Sequence, residues 1–168
     1  MSNTKKIIIA ASVAVFIILA VLFISFGLPF FSASKILKAR VAEFESINNG
    51  DTLQISDPHN SDGSTLPKAV DIFLTGDEAD ALVSELLGVI KGARYVGKDT
   101  NIHGFWDVSV SLRSSNGITL IYLCEDEIYV TDGTSKYSFK PKNDTEYSVF
   151  YKKISNMIYE EANSTHDS

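Results

Sequence analysis

The chain has 168 residues, 45% of them hydrophobic, and a formal net charge of −6. That acidity argues against a nucleic-acid surface, because phosphates require a basic face. A single cysteine, Cys124, rules out an internal disulfide, so packing alone must hold the fold together.

Residues 7–31 form one long apolar run without a charged side chain, and every acidic residue of the sequence lies after it. Crossing the hydrocarbon core takes about 20 apolar residues as helix, and lipid leaves the backbone no other hydrogen-bond partners. A cleaved signal peptide has an apolar core of only about 7–15 residues. Ser32, Ala33 and Ser34 have the small side chains of a cleavage site, but the length of the run favours a retained transmembrane anchor. Lys5 and Lys6 flank one end and Lys35, Lys38 and Arg40 the other, so the positive-inside rule is nearly balanced. A short basic tail, residues 1–6, ahead of a long apolar run has the form of a signal-anchor with a cytoplasmic N-terminus. The expected localisation is therefore a single-pass cell-membrane protein with its folded domain outside the cytoplasm. That outer part holds 13 of the 15 basic residues against all 21 acidic ones, a net −8. Its length suits one domain and is short for two.

Residues 32–66 read as a juxtamembrane helix and linker. Ile36, Leu37, Val41, Phe44 and Ile47 recur at helical spacing, and Asn48, Asn49, Gly50 and Asp51 end the helix with turn chemistry. A short strand fits residues 52–56. Residues 57–67 are rich in turn formers and read as an exposed loop. Asp57, His59, Ser61 and Asp62 loosely resemble a calcium loop, but Gly63 comes one place late and Lys68 stands where the bidentate Glu belongs. No metal is expected there.

The soluble domain is expected over residues 67–160. Val70, Ile72 and Leu74 alternate with Asp71 and Phe73 as a strand. Thr75 and Glu78 have capping-box spacing, and Ala79, Leu82, Val83, Leu86, Leu87 and Ile90 then line one helix face up to Gly92. Tyr95 and Val96 suggest a brief strand, with a loop over residues 97–104. Trp106, Val108, Val110 and Leu112 alternate with Asp107, Ser109, Ser111 and Arg113, a strand with one dry and one wet face. A hairpin turn at residues 114–117 leads to an apolar central strand, 118–124, in which Cys124 should be buried and inert. Ile128 and Val130, then Tyr137 and Phe139, continue a meander. Pro141 stops it, Asn143 caps a second helix, and Tyr147, Phe150, Tyr151, Ile154, Met157 and Ile158 form that helix's apolar stripe. The tail after Glu160 should fray, residues 161–168 forming a flexible end. The fold class is thus α+β: a transmembrane helix followed by an antiparallel meander sheet with two helices on one face.

That packing leaves the opposite sheet face open. Asp107, Ser109, Arg113, Glu127, Tyr129 and Lys136 are the candidate partner-binding residues, with Ser111, Thr119, Ser138 and Lys140 beside them. A mixed polar face of this kind is usually no more than solvated, yet it is the broadest surface on offer. His59, His103 and His166 lack metal-ligand spacing, and no nucleophile elbow, phosphate loop or zinc signature occurs. No catalytic residue, metal or cofactor is therefore expected. Asn143-Asp144-Thr145 and Asn163-Ser164-Thr165 match the glycosylation acceptor pattern, a tripeptide common by chance.

The strand Val70-Asp71-Ile72-Phe73-Leu74, the helix opening Gly76-Asp77-Glu78-Ala79 and the alternating run from Asp107 to Leu112 resemble the small extracytoplasmic domains of uncharacterised Gram-positive membrane proteins, including the YhfM-like type. The resemblance covers about half the chain and hands over no functional residues. It implies a sensory or accessory domain outside the membrane. By elimination of catalytic motifs, the expected role is a binding module that engages a ligand, an envelope protein or a peptide. The alternatives are a membrane-tethered inhibitor or immunity-type protein, whose acidic surface would match a basic target, and, less favoured, a hydrolase.

Overall fold

A computed structural model describes residues 3–57, 70–99 and 108–164. The chain divides into two compact units, Met1–Lys35 and Ile36–Ser168.

Helix α1 (Asn3–Leu22), in the first unit, passes through one π-helical turn, Phe23–Gly27, into helix α2 (Leu28–Glu45), whose residues from Ile36 on belong to the second. At the turn the Leu28 N–H donates to the Phe23 carbonyl, five residues back. Pro29 has no N–H to return to the preceding turn, and a change of hydrogen-bond register absorbs that loss without breaking the helix. A Cβ on Gly27 beside it would lie 2.8 Å from the Phe23 ring, which would have to move to admit one. Among the described residues this is the one helix long and apolar enough to cross a membrane by length and composition, and none of its apolar window is buried in protein.

The second unit is a seven-stranded, wholly antiparallel sheet in the order β2-β1-β4-β5-β6-β7-β3. Its strands are β1 (Thr52–Ser56), β2 (Asp71–Leu74), β3 (Arg94–Asp99), β4 (Val108–Ser114), β5 (Gly117–Leu123), β6 (Ile128–Thr131) and β7 (Lys136–Lys140). Strands β4 to β7 are the expected meander, with β5 at its centre. Helices α3 (Gly76–Ile90) and α4 (Asp144–Ser164) pack on one face. Leu53, Ile55, Val108, Val110, Leu112, Ile121, Leu123, Ile128, Val130 and Phe139 point into that face and are almost completely buried. From the helices, Leu86, Ile90, Tyr147 and Ile154 meet them.

Several expectations need correcting. The fold starts before residue 67: β1, in the stretch read as linker, is an interior strand between β2 and β4, and Leu37 and Phe44 of α2 are buried. The Thr119 hydroxyl donates to the Glu43 carboxylate of α2, and Arg40 Nη2 donates to the Thr131 carbonyl at 3.4 Å. Strand β3 is longer than the pair Tyr95–Val96 suggested and runs through the start of the supposed loop, because pairing with β7 overrides the turn signal of Gly97. Thr75 is the N-cap of α3, yet its side chain makes no capping bond. Asn143 does cap α4, its Oδ1 accepting from the N–H groups of Thr145 and Glu146 at 3.1 and 3.3 Å. Helix α4 extends past Glu160 to Ser164. Cys124 is only partly buried, just past the end of β5.

The two edge strands, β2 and β3, are parallel to each other, because six antiparallel steps separate them. Helix α3 joins them, so its 15 residues, about 22 Å of helix, carry the chain across the packed face. Helix α4 packs on the same side, and among the described residues the other side of the sheet carries no helix.

Candidate functional site

Strand alternation fixes which side chains reach the open face. Register with β1 and β5 places Ser109, Ser111 and Arg113 of β4 there, opposite the inward Val110 and Leu112. Thr119 pairs with Leu112 and so belongs to the packed face, contrary to expectation; the outward residues of β5 are Ile118, Leu120 and Tyr122. Tyr129 pairs with Tyr122 and Ser138, and Lys136 with Thr131. Of the six candidates, Ser109, Arg113, Tyr129 and Lys136 share this face. Glu127 lies just before β6 and reaches it through Tyr129, whose hydroxyl donates to its Oε2 at 2.7 Å. Asp107 lies outside the described residues, as do His59, His103 and His166 and all of the calcium-like loop except Asp57.

The face has three zones. Across β2, β1 and β4 runs a polar network centred on Gln54. Its Nε2 donates to Asp71 Oδ1 at 2.8 Å and to Ser56 Oγ at 3.0 Å, and its Oε1 accepts from Arg113 Nε at 2.8 Å. With Gln54 only 9% exposed, these bonds offset the cost of removing its amide from water. Next comes an apolar strip on β5, where Ile118 is 62% exposed; Phe73, which pairs with Gln54, is exposed on β2. Beyond the strip, Lys136 Nζ lies 4.9 Å over the ring of Tyr129, a cation–π contact. Burial, then the hydrogen bond and negative charge of Glu127, push the Tyr129 phenol far above its ordinary range, so it stays a neutral donor.

Sequence reasoning read the strand over residues 52–56 but gave it no place in the sheet, so Gln54 was left off the candidate face, and it passed over Ile118, Leu120 and Tyr122 by reading β5 as a uniformly buried strand. Phe73 was legible, since the alternation of β2 already set it opposite Ile72 and Leu74.

Elsewhere in this unit, a groove of about 340 Å³ between α3 and α4 is lined by Gly88, Val89, Val149 and Phe150, with the Lys153–Glu85 ion pair at 2.7 Å on its rim. In the β6–β7 turn, Asp132 Oδ1 accepts from the Thr134 N–H and hydroxyl and the Ser135 N–H, and Oδ2 accepts from the Tyr137 hydroxyl. Burial opposes ionisation there, but these donors outweigh it and lower the Asp132 pKa to about 2. Among the described residues, no group of three or more His, Cys, Asp or Glu side chains is placed to hold a metal ion.

No family model, curated protein or solved structure matches this chain.

Proposed function

We propose that the chain is a single-pass, membrane-anchored binding module, its α+β domain outside the cytoplasm, that engages a ligand or an envelope protein through the open face of the sheet. The observation carrying this reading is the one-sided packing. Both helices lie on one face, while the other presents a broad surface that mixes exposed Ile118 and Phe73 with ordered polar groups. Apolar anchors ringed by hydrogen-bonded polar side chains suit a binding surface. The apolar helix supplies the attachment, and the resemblance to YhfM-like domains belongs to the same proposal.

Two measurements test it. A photo-crosslinking residue placed at Arg113 or Ile118 in native membranes should give a discrete adduct. The same residue at Tyr159, which is 70% exposed on α4, should give none. Equal adducts from all three positions would sink the sheet face as the working surface. For topology, the variant Asp126→Cys, at a side chain 75% exposed, is made in a Cys124→Ser background. It should react with an impermeant maleimide in intact cells; labelling only after lysis would place the domain in the cytoplasm.

A further inference from the structure

The two edges of the sheet are not alike. Edge strand β3 carries Arg94 and Lys98, and its register with β7 shifts between Tyr95 and Gly97. Charged side chains and bulges are the ordinary guards against pairing with another chain. Edge strand β2 has no such guard beyond its shortness. Its register with β1 runs unbroken from Asp71 to Leu74, it holds no proline and no basic residue, and its one charge, Asp71, is turned back to Gln54 and Ser56 of β1. Phe73 is 59% exposed, and Ile72 and Leu74 are half-buried. Apolar side chains therefore flank this edge on both faces of the sheet.

The ladder fixes which backbone groups the edge presents. The Asp57 N–H donates to the Val70 carbonyl at 3.2 Å, and hydrogen-bonded pairs alternate with non-bonded ones along an antiparallel ladder. Ile72 and Leu74, in step with Val70, direct their N–H and C=O groups toward β1, while those of Asp71 and Phe73 point away from it. Among the described residues no other strand pairs there. Thr75, the next residue, is still extended, with φ −140° and ψ 162°, and its side chain makes no capping bond. The strand conformation thus runs on to the first turn of α3.

We propose that the β2 edge pairs with the β2 edge of a second copy of this chain, antiparallel about a two-fold axis, joining two seven-stranded sheets into one. A row of outward amides and carbonyls is matched by another strand. Alternation keeps each side chain on its own face, so Phe73 of one copy lies opposite or diagonal to Phe73 of the other, within reach of an aromatic ring. Ile72 meets Ile72 or Leu74 of the copy on the other face, and no pair of free like charges is brought together. Pairing of like edges closes on itself, whereas β2 against β3 of the next copy would not and would meet the guards on β3. A strand of four residues makes a contact well below the roughly 1,000 Å² of a stable interface, so the dimer is weak. Such a contact favours a partner already held close, and copies anchored in one bilayer share a raised effective concentration. That last point rests on the reading of the apolar helix as an anchor; the geometry of the pairing does not.

The test is sedimentation equilibrium of the full chain in density-matched detergent micelles, over a range of protein-to-detergent ratios, so the result does not depend on the anchor reading. The parent should show a dimer whose fraction rises with that ratio. Phe73→Pro removes an outward N–H and leaves the bonds of Ile72 and Leu74 to β1 in place, a substitution edge strands tolerate. One hydrogen bond is lost from each copy, so the dissociation constant should rise at least about tenfold. Phe73→Lys, which keeps the backbone and adds the missing guard, should weaken the dimer likewise. Lys98→Ala, on the opposite edge, and Tyr159→Ala, exposed on α4, should associate as the parent does. Thermal melts check that each variant folds, and Phe73→Lys decides if Phe73→Pro does not. A parent that stays monomeric at every ratio, or a dimer that folded Phe73→Lys leaves unchanged, would overturn the proposal.

Discussion

Replacing Phe44 with Ala tests whether the fold truly begins inside helix α2. Phe44 is completely buried, next to Glu43, which accepts the Thr119 hydroxyl of β5. Truncating a buried Phe removes its transfer free energy and leaves a cavity, together about 3–5 kcal/mol. Domains of this size are typically stable by about 5–15 kcal/mol, so the loss is a third or more of a mid-range value. The unit Ile36–Ser168 has 133 residues, for which each kcal/mol lowers Tm by roughly 3–5 °C, so the melting point should fall roughly 10–20 °C. The assay is near-ultraviolet circular dichroism of the full chain in micelles, which follows the tyrosines of the α+β unit and not the apolar helix. Lys38→Ala, at an exposed position of the same helix, should change stability by no more than about 0.5 kcal/mol. If the two variants melt together, α2 is only a tether and residues 36–51 are not part of the fold.

Three further outcomes are expected. Tyr147 is buried in α4 and its hydroxyl is shared between the carbonyls of Cys124 and Glu127, at 2.7 and 2.9 Å; Tyr147→Phe should cost about 1 kcal/mol in denaturant titration, and an unchanged midpoint would mean the hydroxyl contributes nothing to the β5–β6 turn. Because the Asp132 pKa is depressed to about 2 in the fold, its contribution is complete above the ordinary carboxylate range, near pH 4, and is lost as pH falls through about 2. Asp132→Asn should therefore flatten the acid limb of the stability profile between those values, and an acid limb identical to the parent's would refute the assignment. Gln54→Leu leaves Arg113 and Asp71 without their shared partner and should cost about 1–3 kcal/mol, the penalty for unsatisfied polar groups, measured as a loss in chemical-denaturation midpoint; no loss would show that water replaces the amide without cost.

The elements legible in the sequence were those whose pattern is local. The period-2 alternation through Val108, Val110 and Leu112 and the helical stripe from Ala79 to Ile90 each state their own conformation, and both formed as read. The two-residue turn at Ser115 and Asn116 set the β4–β5 register, Ser114 facing Gly117, without reference to anything distant. What was hidden depends on partners far along the chain. Five residues, Thr52–Ser56, become an interior strand only because β4 arrives on one side and β2 on the other. Gly97 reads as a breaker until β7 supplies hydrogen bonds on both sides of it. The candidate face was partly legible for the same reason. Strand alternation located Ser109 and Arg113, while Thr119 was misassigned because an apolar run on both faces gives no phase from which to count.

The placement of β1 also constrains how the protein is made. Thr52 pairs with Arg113 and Ser56 with Ser109, so β1 is synthesised long before its β4 partner and must wait. During that interval Leu53 and Ile55, both fully buried in the finished fold, are apolar side chains on an unpaired strand a few residues beyond α2. Long-range pairings of this kind close slowly, because loop-closure entropy must be overcome before any contact compensates for it. The hairpin β4–β5 pairs locally and the sheet can grow from it toward β7 as the chain emerges, but β1 and then β2 are added backwards, from sequence that has already emerged. Assembly thus runs outward from the middle in both directions, and the oldest strand is among the last to find its place.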